Sequence, residues 1–227
     1  LLVLVAYKEP PRKVAAESAR GGLEVFSHLM RLPGFVLALF VIFGLQTVDR
    51  SFGPVLPLFV AQVGVEAQRV PLISGILFSL GAVAAAFGSQ LAPRLMKDRP
   101  AKRVIVFGAA TAAVAMAIIV IAPTLWLVGA AMVAVGVAIG VATTTIYSVA
   151  GSLLPADAHA TGFGVMTTAS LIGLAVSPVV AGFIGGSGLR IVFVADVAML
   201  VVLAVLVARR LRSEPTSVSH EAPLADS

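Results

Sequence analysis

The sequence holds no cysteine, which excludes a disulfide framework, a thiolate metal site and a cysteine nucleophile. Its three histidines, His28, His159 and His220, all fall outside the long apolar runs. A membrane metalloenzyme with histidine ligands and a Ser/His intramembrane protease are therefore unsupported, and no metal site is expected. There is no GxxxxGK[ST] loop, so ATP does not power this chain from within, and no cofactor is expected. Charge is also scarce: 12% of 227 residues are charged and 59% are hydrophobic, with a mean hydropathy of +1.05. A soluble domain carries about 25% charged residues. So little polar surface cannot cover a water-exposed globule, which excludes a soluble enzyme.

What is present is long apolar sequence. Six stretches, roughly Gly34–Ala61, Pro71–Ala92, Val104–Ala122, Leu125–Val149, Gly162–Gly185 and Ile191–Ala208, are each long enough to cross about 30 Å of hydrocarbon as a helix. Internal Gly and Pro are common in such helices, whose neighbours satisfy the freed backbone. Membrane strands would instead alternate apolar and polar residues over about ten positions, and no segment does. The pattern predicts an all-α membrane protein with six spans.

The net charge of +5 and a pI of 10.2 do not point to nucleic acid, because the basic residues cluster between apolar runs. Lys8, Arg12, Lys13, Arg20 and Arg31 precede the first span. Arg94, Lys97, Arg99, Lys102 and Arg103 lie between the second and third, and Arg209, Arg210 and Arg212 follow the sixth. That places 13 of the 16 on one side of the membrane and two, Arg69 and Arg190, on the other, with Arg50 inside a span. The bias predicts that both ends are cytoplasmic.

The segments outside the bundle divide accordingly. Leu1–Ala6 are apolar but too short to span, and read as the end of a transmembrane helix whose start is missing. The expectation is a fragment of a longer membrane protein. Tyr7–Pro33 reads as a cytoplasmic linker with a short amphipathic helix around Leu23–Leu32. Gly34–Ala208 is the six-helix bundle, and Arg209–Ser227 a disordered cytoplasmic tail rich in Ser, Pro and Glu.

The fifth span carries the most specific pattern, GFGVMTTASLIGLAVSPVVAG, in which Gly164, Gly173, Ser177, Pro178, Ala181 and Gly182 give small-x8-small-x3-small-Pro-x2-small-small. Small residues at helical spacing let backbones approach, and Pro178 removes a donor and can kink the helix. Ordinary tight packing explains the line equally well. The segment between the second and third spans carries Gly88, Arg94, Asp98, Arg99 and Arg103.

Together with six spans, cytoplasmic ends and a basic linker behind a truncated helix, these motifs resemble the carboxy-terminal half of a major facilitator superfamily transporter. The basic segment is similar to a degenerate second-half copy of that family's Gly-x-x-x-Asp-Arg-x-Gly-Arg loop, with Ala92-Pro93-Arg94 where Ala-Asp-Arg is the pattern. The fifth-span line is similar to the glycine-proline motif of the drug:proton antiporters, the multidrug efflux branch, with Ser177 and Ala181 replacing two glycines. GPVLPLFVAQVG, Gly53–Gly64, looks like the family's seventh helix. The resemblance implies spans seven to twelve of a two-half fold whose amino-terminal half lies outside this chain. It also implies a small-molecule substrate bound between the halves near the bilayer midplane, and alternating access.

Charges inside a span usually face a cavity or a partner. Asp49 and Arg50 lie about 15 residues into the first span, and Gln46, Asp49, Arg50 and Gly53 form one polar stripe at i, i+3, i+4 and i+7. Sequence neighbours point about 100° apart on a helix, so the two charges need not neutralise each other fully. They read as a cavity-lining pair for substrate contact or proton coupling, as a structural pair bonded to other helices, or as residues wetted by a break before Pro54. Asp196, near the outer end of the last span, reads as interfacial or bonded to the fifth span. Thr144 and Tyr147, behind a GxxxG pair at Gly136 and Gly140, are hydrogen-bonding candidates for the cavity, with back-bonding to their own helix as the alternative for the threonines. Phe163, Thr167 and Ser170 form a similar stripe on the fifth span. Phe52, Phe78 and Trp126 read as packing or interface residues.

The expected function is proton-coupled efflux of small organic solutes, in a bacterial cytoplasmic (inner) membrane. A proton-coupled symporter for a sugar or other metabolite is the alternative, and a channel-like or structural membrane subunit is the rival of another class. Lipid, a small-molecule substrate and protons are the expected partners.

Overall fold

The computed structural model describes residues 18–211. The helix end expected at Leu1–Ala6 and the tail beyond Leu211 lie outside the described residues. Seven α-helices follow in order: α1 Ser18–Met30, α2 Pro33–Gln62, α3 Val70–Asp98, α4 Ala101–Ile121, α5 Leu125–Ser152, α6 His159–Gly185 and α7 Leu189–Arg210, with a short 3-10 turn at Ala156–Ala158. The last six are each long and apolar enough to cross a membrane. Helices are the form that such sequence must take in hydrocarbon, where every backbone group needs an internal partner.

The helices outrun the apolar stretches, mostly at their charged ends. The basic segment after the second span is not a loop: α3 continues through Gly88, Arg94 and Asp98, Arg99 is its C-cap, and Arg103 already belongs to α4. Only Arg99 and Pro100 connect the two helices. The reason is electrostatic, since basic side chains in a last turn offset the partial negative charge of unpaired carbonyls. In the same way Arg209 and Arg210, expected in the tail, are the last residues of α7. Helix α1 starts five residues before the expected Leu23, running through Gly21 and Gly22. Two glycines cost such a helix about 1 kcal/mol each and do not forbid it. Its Leu29 is fully buried, and α1 packs on α2 and α6.

The packing has internal symmetry. Helix α3 packs on α5, α2 on α6, α4 on both α5 and α7, and α2 on both α5 and α7. Exchanging α2–α3–α4 with α5–α6–α7 maps this set of pairs onto itself, the signature of a structural repeat. The core lies among α2, α4, α5 and α7, with Phe35, Phe59, Met116, Ile119, Ile146 and Phe193 essentially inaccessible. Helices α3 and α6 contribute little to it. Their outward faces carry Val83 (70% exposed) and Phe87 on α3, and Val179 and Phe183 (88%) on α6. Such apolar faces suit lipid or a second bundle.

Two close crossings hold the repeat units together. At α3–α5, a Cβ added to Gly88 would overlap the Val137 carbonyl, one on Gly140 the Ala85 carbonyl, and one on Gly136 would stand 2.5 Å from the Gly81 oxygen. At α2–α6, a Cβ on Gly173 would stand 2.5 Å from the Phe43 oxygen. The backbones touch there because no side chain intervenes.

Gly140→Val is therefore expected to lose at least about 2 kcal/mol by forcing α3 and α5 apart. Gly129→Ala, on the same helix but 3.5 Å from the nearest atom, Leu77 Cδ2, should be close to neutral. Thermal melting of the purified protein in detergent checks the pair, and equal effects would refute the close-crossing account.

Candidate functional site

Helix α2 carries two charges inside its apolar run, Asp49 and Arg50, and its polar groups point three ways. Toward α6, Gln46 Nε2 donates to Ser170 Oγ at 2.8 Å, and Ser177 Oγ donates to the Thr47 carbonyl at 2.6 Å. Gly173 lies between these two bonds in sequence and makes the close approach possible. Gly173, Ser177 and buried Ala181 of the glycine-proline line thus form the α2–α6 seam, while Gly164 and Gly182 face open space. Pro178 leaves the Leu174 carbonyl without its helical donor.

On its open side α2 carries Asp49 and Arg50. Arg50 Nε lies 3.3 Å from Asp49 Oδ2, with the side chains 53% and 36% exposed respectively. The expected divergence of adjacent residues is overcome by the length of the arginine, which folds back onto its neighbour. The pair is structural in that each charge has a partner, and accessible in that both side chains are partly exposed. Pro54 and Pro57 follow inside the same helix, leaving the carbonyls of Arg50 and Gly53 without backbone donors.

Toward α7, Ser51 and Asp196 meet. Asp196 is 6% exposed, and its bond is to the first span rather than the fifth: the Ser51 hydroxyl on α2 lies 2.5 Å from its Oδ2. The reason is the packing of α7, which lies against α2 and α4 far more than against α6. Around this contact Phe193 packs on Phe52 at 5.7 Å and edge-on against Phe59 at 5.4 Å. Phe52 is a packing residue, whereas Trp126 is 91% exposed.

The remaining candidates are more loosely placed. Thr144 and Tyr147 are half-buried on α5, which packs on α2. Thr167 is exposed and donates to the Phe163 carbonyl of its own helix at 2.9 Å. The next threonine on α5, Thr145, is fully buried and back-bonds to Val141. Thr143 Oγ1 is buried with no hydrogen-bond partner among the described residues. Sequence reasoning passed over Ser51, and its signal was available: a buried carboxyl on one span needs a donor on a neighbouring one. No group of three or more His, Asp or Glu placed to hold a metal occurs among the described residues.

Against known proteins, the family model described as Major Facilitator Superfamily matches residues 1–176 and again 100–226. The chain belongs to the major facilitator superfamily. It is an integral membrane protein of that fold and not an enzyme. A solved structure with the same fold is that of a bacterial homologue of the human lysosomal transporter Spinster, in an inward-facing and unoccupied conformation. The TM-score is 0.65 at 18% identity, over 92% of this chain and 56% of that one. The chain thus spans little more than half the length of that transporter. No curated protein matches the chain.

The Gln46–Ser170 bond sets a measurable coupling. A double-mutant cycle with Gln46→Leu and Ser170→Ala is expected to give about 0.6 kcal/mol, the usual worth of a hydrogen bond between membrane helices. A coupling indistinguishable from zero in thermal unfolding would remove the bond from the account of the seam.

Proposed function

We propose that this chain forms one half of an alternating-access transporter for small organic solutes, working as a proton-coupled efflux antiporter of the multidrug type. The observation that carries the reading is the Asp49–Arg50 pair: two charges in a membrane span, bonded to each other and partly exposed. A charge pair serving only to lock helices would bridge two of them and be enclosed. This one sits on a single helix and opens toward the space beside it. A second six-helix half facing α2 would turn that space into a cavity near the midplane.

Gln46, Thr144, Tyr147 and Thr167 are the further candidate contacts for substrate or coupling, of which Thr144 and Tyr147 are half-buried on α5. Arg94, Asp98, Arg99 and Arg103, around the short α3–α4 connection, with Gly88 further inside α3, stand as the family-type cytoplasmic motif. The basic bias supports cytoplasmic ends, and the membrane is the bacterial inner one. The small-residue line of α6 supports the antiporter branch through its likeness to that branch's glycine-proline motif. Outward movement, protons as the coupling ion and an amino-terminal partner half all belong to this proposal.

In proteoliposomes holding the full-length protein, Asp49→Asn and Arg50→Gln are each expected to cut solute flux by at least about tenfold, roughly the loss of one interaction of 1.4 kcal/mol in the transport cycle. The melting temperature should hold within a few degrees, because the pair is partly exposed and ties no two helices together. Unchanged flux with lowered stability would make the pair structural and overturn the reading. A wild-type protein whose flux ignores an imposed pH gradient would overturn the proton-coupled part alone.

A further inference from the structure

The carboxyl of Asp196 has one hydrogen-bond partner among the described residues, the hydroxyl of Ser51. That hydroxyl lies 2.5 Å from Asp196 Oδ2 and 2.9 Å from the Val48 carbonyl oxygen, and Ser51 is 2% exposed. A hydroxyl has one proton to donate, so two oxygens compete for it unless the carboxyl brings a second. An ionised carboxylate would also present about four acceptor sites to a single donor.

Nor does a counter-charge face it among the described residues. On α2 the only charges are Asp49 and Arg50, bonded to each other on the open side. Helix α4 carries none after Lys102 and Arg103 in its first turn, and α6 none after His159 at its start. On α7 itself, Arg190 is six residues away and Arg209 and Arg210 lie in the last turn. Phe52, Phe59 and Phe193 enclose the seam. An unpaired carboxylate in such a place is costly, whereas a neutral acid that donates is not.

We propose that Asp196 and Ser51 form a proton-binding site, on the buried side of the α2 turn whose open side carries the Asp49–Arg50 pair. In the occupied state the carboxyl O–H donates to Ser51 Oγ and the Ser51 O–H donates to the Val48 carbonyl. On release the Asp196 O–H bond breaks, its proton passes to water admitted at the seam, and the Ser51 O–H turns to the carboxylate left behind. Asp196 lies seven residues from the Leu189 end of α7, roughly 10 Å along the helix, which gives water a short path.

Asp49, Arg50 and Ser51 are consecutive on α2, just before Pro54 interrupts the backbone bonding. Any shift of that turn that repositions the ion pair also moves Ser51 against Asp196. Proton occupancy at the seam and solute occupancy at the pair are then linked through one turn of helix. This linkage rests on the proton-coupled reading above, while the protonation of Asp196 does not.

Infrared difference spectra of the full-length protein in lipid vesicles, wild type against Asp196→Asn, are expected to show the carbonyl stretch of a protonated carboxylic acid at neutral pH. Ser51→Ala should move that band to higher frequency, a readout that stands even if Asp196→Asn fails to fold. A carboxylate band in place of the acid band overturns the site. In transport, Asp196→Asn is expected to keep solute exchange and lose acceleration by an imposed pH gradient, and retained acceleration overturns the linkage. If the wild type itself ignores the gradient, the proton-coupled reading falls and the infrared assignment stands.

Discussion

The architecture depends on backbone-to-backbone contact at two helix crossings. Inside a bilayer the hydrophobic effect gives helices no reason to associate, because lipid is as apolar as leucine, and close packing has to supply the attraction. Gly88, Gly136 and Gly140 let α3 and α5 meet at the level of their carbonyls, and Gly173 does the same for α6 on α2. Under the internal repeat these are images of each other. They differ in one respect that matters. The α3–α5 crossing has one long side-chain contact, from Ser89 Oγ to the Gly140 carbonyl at 3.5 Å, whereas the α2–α6 crossing adds two short side-chain hydrogen bonds, from Gln46 and Ser177. The second seam has a fixed register, and α2 is the helix that it fixes.

Once α2 is held, its polar residues are sorted by helical geometry alone. Gln46 and Thr47 meet α6, Ser51 meets α7, and Asp49 with Arg50 remains on the partly exposed side. Between them the apolar positions Ile42, Leu45, Val48, Val55, Leu56 and Phe59 are buried against the core. Six successive residues, Gln46 to Ser51, thereby contact two other helices and the open face. A movement of this segment cannot be local, since each of its sides is tied to something different.

The six spans were legible because hydropathy reports the thickness of the hydrocarbon layer directly. Helix ends were less so, since a helix need not stop where the hydrocarbon does: α3 runs six residues past Ala92 because its basic last turns stabilise its carbonyl end. The charged pair on α2 could be read from the chain as charge inside an apolar run, though the ion pair within it could not, since that depends on how an arginine folds back. The environment of Asp196 was illegible for a different reason. Whether a carboxyl near a helix end meets water, α6 or α2 is settled by which helices pack on α7, and one sequence carries little trace of that pairing. Ser51 and Ser170 share the difficulty. Each is an ordinary serine until its partner 145 or 124 residues away is known.

The prolines add the last constraint. Helix α5, the repeat counterpart of α2, contains no proline, whereas α2 carries Pro54 and Pro57 immediately beyond the charged turn. Each removes a backbone donor, so the carbonyls of Arg50 and Gly53 lose the bonds that stiffen the rest of the helix. In hydrocarbon such carbonyls are expensive unless something polar meets them, and they are tolerated where a cavity or protein replaces lipid. The repeat is therefore symmetric in its packing and asymmetric in its compliance. Its weakened stretch at Pro54 and Pro57 directly follows the turn that holds the ion pair on the open face and meets the carboxyl at the α7 seam. Bending there moves both, while the glycine crossing at Gly173, one to two turns earlier on α2, keeps the remainder of the helix in place.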